Sequence, residues 1–131
     1  MNTLPAFANY LIYLLTAGIL LVFFFVVYTR VTPFNEVLLI RQGNCAAALS
    51  LGGAMLGFSL TVASCILHTS SIVPFVLWTI GALAVQLLAY IVTTKLMRIS
   101  KEHIESGNIA FGGMLGAISL SVGAINAACI S

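Results

Sequence analysis

The sequence predicts an all-α membrane protein: four transmembrane helices forming two tandem helical hairpins, related as a parallel internal repeat within a single domain, 1–131. Three observations lead there. First, a chain of 131 residues that is 61% hydrophobic and 6% charged cannot cover its apolar surface with polar groups as a soluble domain does. Second, four apolar windows (7–28, 45–67, 72–96 and 109–130) are long enough to cross a hydrocarbon core of about 30 Å, which takes about 20 helical residues. Third, one stretch occurs twice. Ile40-Arg41-Gln42-Gly43-Asn44 leads into a Gly-rich apolar run, and Ile104-Glu105-Ser106-Gly107-Asn108 leads into another. Sliding one copy onto the other also pairs Ala46 with Ala110, Leu51 with Leu115, Gly52 with Gly116, Leu56 with Leu120, Ala63 with Ala127 and Cys65 with Cys129. Such self-similarity reads as a duplication, with repeat one at about 7–67 and repeat two at about 72–130.

The first span is bulky on every face through Ile19, Val22, Phe23, Phe24 and Val26, with Tyr10, Tyr13 and Tyr28 toward its ends. A helix large and apolar all round faces lipid, and end tyrosines suit the interface belt. With no basic residue before it, and a run longer than a signal-peptide core, it reads as a retained span.

In the first loop, Thr32-Pro33 is an N-cap followed by proline at a first helical position. Phe34, Val37, Leu38 and Arg41 then recur at helical spacing. This fits either a short interfacial helix with Glu36 on its wetter side or a solvated connector. Gly43 suits the left-handed residue that ends a helix, and Asn44 suits the cap of the next.

The second span differs in kind from the first. Ala46, Ser50, Gly53, Gly57, Thr61 and Ser64 form a ridge of small residues, and Gly53 with Gly57 makes a GxxxG pair. In lipid, helices associate through close backbone approach and interhelical hydrogen bonds, both of which such a ridge permits. The third span begins near Pro74 and carries Gln86 near mid-depth, where an unpaired amide would cost a few kcal/mol. Gln86 therefore faces another helix, as a bridge or as a contact for a solute. The third loop, from Met97, is rich in helix formers and reads as an extension of that span up to Gly107. Asn108 then caps the fourth span, which presents Gly112, Gly116, Ser119, Gly123 and Ala127 as a second ridge. Asn126 near its outer end needs a partner as Gln86 does.

Charge gives the orientation. Arg30 and Arg41 flank the first loop, and Lys95, Arg98 and Lys101 the third, while the second loop and both termini carry no Lys or Arg. The positive-inside rule puts loops one and three in the cytoplasm and both termini in the periplasm. The net charge of +2 is too small and too dispersed for a nucleic-acid footprint. The three cysteines form no CxxC or other zinc spacing and read as small packing residues, with pairing of Cys65 and Cys129 left open.

No Asp, Glu, Lys or Arg falls inside a predicted span, which argues against proton relays, voltage sensors and ion-coupled transport. Small multidrug exporters share the size but depend on an embedded glutamate. Small fluoride channels share a Gly-rich run, yet the arginine expected after it is replaced here by Phe58-Ser59-Leu60. Glu36, Glu102, His103 and Glu105 share one side without a nucleophile, phosphate-cradling loop or metal spacing. The expectation is no catalytic, metal or cofactor site and no enzyme.

On the repeated Gly-Asn followed by Ala, with a glycine two turns on (Ile40, Gly43, Asn44, Ala46 and Gly52; Ile104, Gly107, Asn108, Ala110 and Gly116), the whole chain resembles the YjfL-like family of small bacterial inner-membrane proteins. That resemblance implies an inner-membrane location and a duplicated four-helix domain of unknown function. Cys45 departs from the aliphatic residue expected there. Two functional expectations stand side by side. One is a non-enzymatic protein of the lipid bilayer that assembles with itself or serves another membrane protein as an accessory subunit. The other is a channel or facilitator for a neutral solute, lined by Gln86, Asn126, Ser50, Ser59, Ser119 and Ser121. At the corners, Asn44 and Asn108 act either as plain caps or, with two helix N-termini, Arg41 and Lys101, as an anion site.

Overall fold

The computed structural model describes residues 4–130; residues 1–3 and 131, and so the two extreme ends of the expected domain, lie outside the described residues. Four long helices carry the fold: α1 (Leu4–Val31), α3 (Cys45–His68), α4 (Ile72–Leu96) and α6 (Ile109–Ile130). Two short ones, α2 (Glu36–Arg41) and α5 (Lys101–Glu105), lie in the connections at one end. All four long helices are apolar and long enough to cross a membrane, and their limits lie within three residues of the windows read from the sequence.

The centre is the pair α3 and α6, which touch along their whole length. Gly112 sits against Ala46, Gly116 against Leu49 and Gly53, and Gly123 against Gly57, with backbone on backbone, so that a methyl on any of these glycines would run into the opposite main chain. The Thr61 hydroxyl donates to the Gly123 carbonyl at 3.0 Å and the Ser64 hydroxyl to the Ala127 carbonyl at 2.6 Å. Contacts that advance together along both helices mean that α3 and α6 run parallel. Both small-residue ridges are thus spent inside one chain.

The helix α4 covers this pair from one side, and Gln86 fastens it. Its amide nitrogen donates to the Ala54 carbonyl of α3 at 3.1 Å and to the Ser119 carbonyl of α6 at 3.3 Å. Meanwhile α1 is peripheral, as its composition suggests: one side, from Tyr13 through Leu21, leans on the core, and only its last two turns bury whole side chains. Phe24 and Tyr28 are fully buried, where the sequence reading left them to lipid and the interface. Phe24 stacks on Phe58 with ring centroids 4.3 Å apart, and Tyr28 meets Tyr90 edge to face at 5.4 Å. Aromatic rings this large drive packing wherever a neighbouring helix offers a flat apolar side.

The third loop corrects another expectation, because α4 does not run on to Gly107. It ends at Leu96 in a Schellman closure: Arg98 takes a left-handed φ of 53° and the Ile99 N–H returns to the Thr94 carbonyl at 3.0 Å. That closure satisfies carbonyls left open at the helix end. Ser100 and His103 then box the start of α5.

Candidate functional site

At the end that holds α2 and α5 the chain turns two similar corners. Gly43 and Gly107 have φ of 83° and 82°, a region glycine enters without steric cost. At each, the following asparagine N–H reaches back five residues, Asn44 to the Leu39 carbonyl at 2.9 Å and Asn108 to the His103 carbonyl at 3.0 Å. Each side chain then caps the next helix: the Ala47 N–H donates to Asn44 Oδ1 at 3.0 Å, and the Ala110 and Phe111 N–H groups donate to Asn108 Oδ1 at 3.1 and 3.3 Å. The corners differ in one respect. Asn44 also donates its amide hydrogens to the Ile104 and Glu105 carbonyls, at 2.8 and 3.3 Å, tying the start of α3 to the end of α5.

Between the corners lies an open cleft of about 350 Å³ whose walls include Asn44, Glu105 and Ser106. Neither Arg41 nor Lys101 lines it, and Glu105 brings a negative charge. Asn44 is used as both cap and tie, and Asn108 as a cap through its Oδ1. This geometry has both asparagines capping, with neither of the cations named for an anion site lining the cleft.

The side chains expected to line a solute path are dispersed. Ser59 and Ser121 donate to carbonyls of their own helices, Met55 at 2.8 Å and Ala117 at 2.8 Å. Asn126 is half-buried and makes no side-chain hydrogen bond among the described residues, so the partner expected for it is not found. Gln86 spends its amide on α3 and α6, leaving Oε1 buried without a partner. Gly57 makes room for that bridge, since a methyl there would lie 2.9 Å from Gln86 Nε2.

The sequence reading missed the most unusual polar group of the fold. The spacing in the first loop puts Glu36 on the wet side of its helix, yet it is 1% exposed. The helix α2 begins later than Thr32-Pro33 suggested: Asn35 is its N-cap, accepting from the Leu38 N–H at 3.1 Å, and Glu36 is its first residue. Its sides are reversed as well, since Val37 and Leu38 point outward while Glu36 and Leu39 point in. At the edge of a bilayer the outside of a short helix meets hydrocarbon or headgroup, so apolar residues gain by facing out and the polar one is left facing protein.

Glu36 hydrogen-bonds through Oε1 to the Thr32 hydroxyl, and Oε2 is buried without a partner. Around it stand Tyr28 from α1 and Tyr90 from α4, both close enough to feel its charge. The Ser50 hydroxyl of α3 lies beside the Tyr28 phenol without closing a hydrogen bond of ordinary geometry. No cation pairs with Glu36 among the described residues, and burial pushes its carboxyl up to about 7, with the Thr32 hydroxyl pulling the other way. Fully exposed Glu102 is the contrast: its own backbone N–H and the Ser100 hydroxyl hold its carboxyl below the ordinary value. A signal for the buried cluster was present in the sequence. Tyr28, Thr32 and Glu36 recur every four residues, a polar stripe crossing the break between two helices.

Residues 1–130 match the family described as Domain of Unknown Function (DUF350). The chain is 32% identical over 131 residues to the UPF0719 inner membrane protein YjfL of Escherichia coli (strain K12), covering all of this chain and 97% of that protein. It is 29% identical over 121 residues to the UPF0719 transmembrane protein YshE of Bacillus subtilis (strain 168), covering 90% of each. No solved structure gives a significant match.

Proposed function

The chain belongs to the DUF350 family, and from that premise we propose that it is a multi-pass protein of a bacterial inner membrane that works without enzymatic chemistry, by assembling with copies of itself or as an accessory subunit of another membrane protein. One observation carries the assembly. On the side of the α3/α6 pair away from α4, a shallow groove of about 270 Å³ is lined by Ala48, Gly52, Leu56, Gly113, Ala117 and Leu120. Its small residues Ala48, Gly52, Gly113 and Ala117 lie beside the ridges already used within the chain, whose Gly53 and Gly116 also line it. A helix from another chain could approach as closely there as α3 and α6 approach each other.

Two finer readings belong with this one. The chain is an internal duplication, supported by the matching Gly-Asn closures and by the parallel course of the helices that follow them. Its termini are periplasmic, supported by the clustering of Arg30, Arg41, Lys95, Arg98 and Lys101 around the α2 and α5 end.

Gly52 provides the test. A methyl at Gly52 would meet nothing within 4 Å, so the backbone accepts a side chain there, and Gly52→Leu occupies the groove. Purified protein in lipid nanodiscs is expected to be oligomeric by native mass spectrometry, and Gly52→Leu is expected to shift it to a folded monomer with unchanged helix content, its thermal stability lowered only by the lost assembly. A wild-type protein that is monomeric at every concentration would sink self-assembly.

A further inference from the structure

We propose that Glu36 is a proton-binding site, and that the proton it takes up latches α2 onto the end of the bundle. The geometry leaves the carboxyl one comfortable form. Oε1 is engaged by the Thr32 hydroxyl and Oε2 faces protein, 1% exposed as a residue, with no donor on it. A carboxylate there would hold a full charge against low-dielectric surroundings. With a proton on Oε2 the group is neutral.

The polar groups around it are hydroxyls: Tyr28 from α1, Thr32 just beyond the end of that helix and Tyr90 from α4, with Ser50 of α3 beside the Tyr28 phenol. Arg30 and Arg41, the nearest basic residues in sequence, are exposed and unpaired with it. Nothing within the described residues supplies the positive charge that would make ionisation cheap.

The element that responds is α2. It has six residues, joins α1 through Pro33 and α3 through Gly43, and is pinned chiefly by Glu36, Leu39 and the preceding Phe34. A helix this short has little stability of its own. Expelling Glu36 into water needs only that α2 swing out about its two flanking hinges.

The direction in pH follows from linkage. With the carboxyl raised from its ordinary 4.5 to about 7 in the docked state, docking is strongest below about pH 4.5 and weakens as pH rises toward 7. Above that its penalty is complete, a change of up to about 300-fold in the docked-to-undocked ratio.

The test uses the full chain in lipid nanodiscs, titrated between about pH 5 and about pH 9. Infrared difference spectra are expected to show a protonated-carboxyl band that disappears with a midpoint near 7 and is missing from Glu36→Gln. Amide hydrogen exchange across α2, corrected for the intrinsic pH dependence, is expected to rise from about pH 5 to about pH 7 and level off above that in the wild type, and to stay flat in Glu36→Gln. Should Glu36→Gln fail to fold, Thr32→Val serves: losing the hydroxyl that favours the carboxylate must move the midpoint upward. The proposal falls if no such band exists at the acid end. It also falls if α2 exchange follows pH equally in wild type and Glu36→Gln, or if sodium or potassium in place of choline redocks α2 at alkaline pH, since a metal cation would then be the ligand.

Discussion

Replacing Gly57 by alanine puts the contact at the heart of the bundle under load. The added methyl would lie 2.5 Å from the Ser119 carbonyl oxygen, 2.9 Å from Gln86 Nε2 and 3.2 Å from Leu120 Cα. The first and last of these are main chain, so α3 and α6 must part there by nearly an ångström to reach ordinary contact at 3.4 Å. Overpacking of this kind costs about 1 to 3 kcal/mol. Parting also stretches the Thr61 to Gly123 and Gln86 to Ser119 hydrogen bonds, each worth about 0.6 kcal/mol in a membrane bundle. Alanine returns up to about 1 kcal/mol as the better helix former. The net expectation is a loss of about 1 to 3 kcal/mol. Gly52→Ala, five residues earlier and meeting nothing within the chain, gains the propensity alone in the monomer and is expected there to be neutral or stabilising by up to about 1 kcal/mol. The assay is equilibrium unfolding in mixed micelles titrated with a denaturing detergent. Equal midpoints for the two variants would refute the reasoning, because it requires that one glycine is pressed between backbones and the other is not.

Three further outcomes are expected. Asn44→Asp keeps its capping oxygen but loses the donors on the Ile104 and Glu105 carbonyls, so it should cost about 0.5 to 1.5 kcal/mol more than Asn108→Asp in the same unfolding assay. Phe24→Leu should cost about 1 to 2 kcal/mol through the lost stacking on Phe58, while Phe23→Leu, at a residue 52% exposed, should be silent; equal effects would mean that α1 does not pack as described. A reporter fused behind residue 131 should be active as a periplasmic enzyme and dark as a cytoplasmic fluorophore, and the reverse pattern would overturn the proposed orientation.

Much of this architecture was legible in the sequence because bilayer thickness and backbone hydrogen bonding leave so few choices. The spans at Ile72–Leu96 and Ile109–Ile130 follow from length and hydropathy alone. The ridges put Gly53, Gly57, Gly112 and Gly116 on helix-packing faces, and Gln86 at mid-depth read as a bridge or a solute contact, of which the bridge is the one seen. Glu36 escaped because an interfacial helix is expected to turn its charged residue to the wetter side, whereas α2 keeps Val37 and Leu38 outward and turns Glu36 toward the protein. Phe24 escaped for a related reason. In a helix that is apolar on every side, composition says nothing about which side meets protein. The end of α4 was missed because its terminator is Arg98 in a conformation usually left to glycine, and no sequence pattern marks that.

The parallel course of α3 and α6 has a consequence for how the protein is made. Two helices that run the same way cannot be neighbours in a simple hairpin, so α4 must recross the bilayer before α6 can begin. The Ser64 hydroxyl and its acceptor on Ala127 are 63 residues apart, about 3 to 13 s of synthesis at usual ribosomal rates. Throughout that interval the glycine-lined side of α3 is in the membrane without its mate, open to any passing helix. A rare-codon pause inserted after α4 would lengthen this exposure without changing one residue of the product, and the yield of correctly assembled chains should fall with the length of the pause.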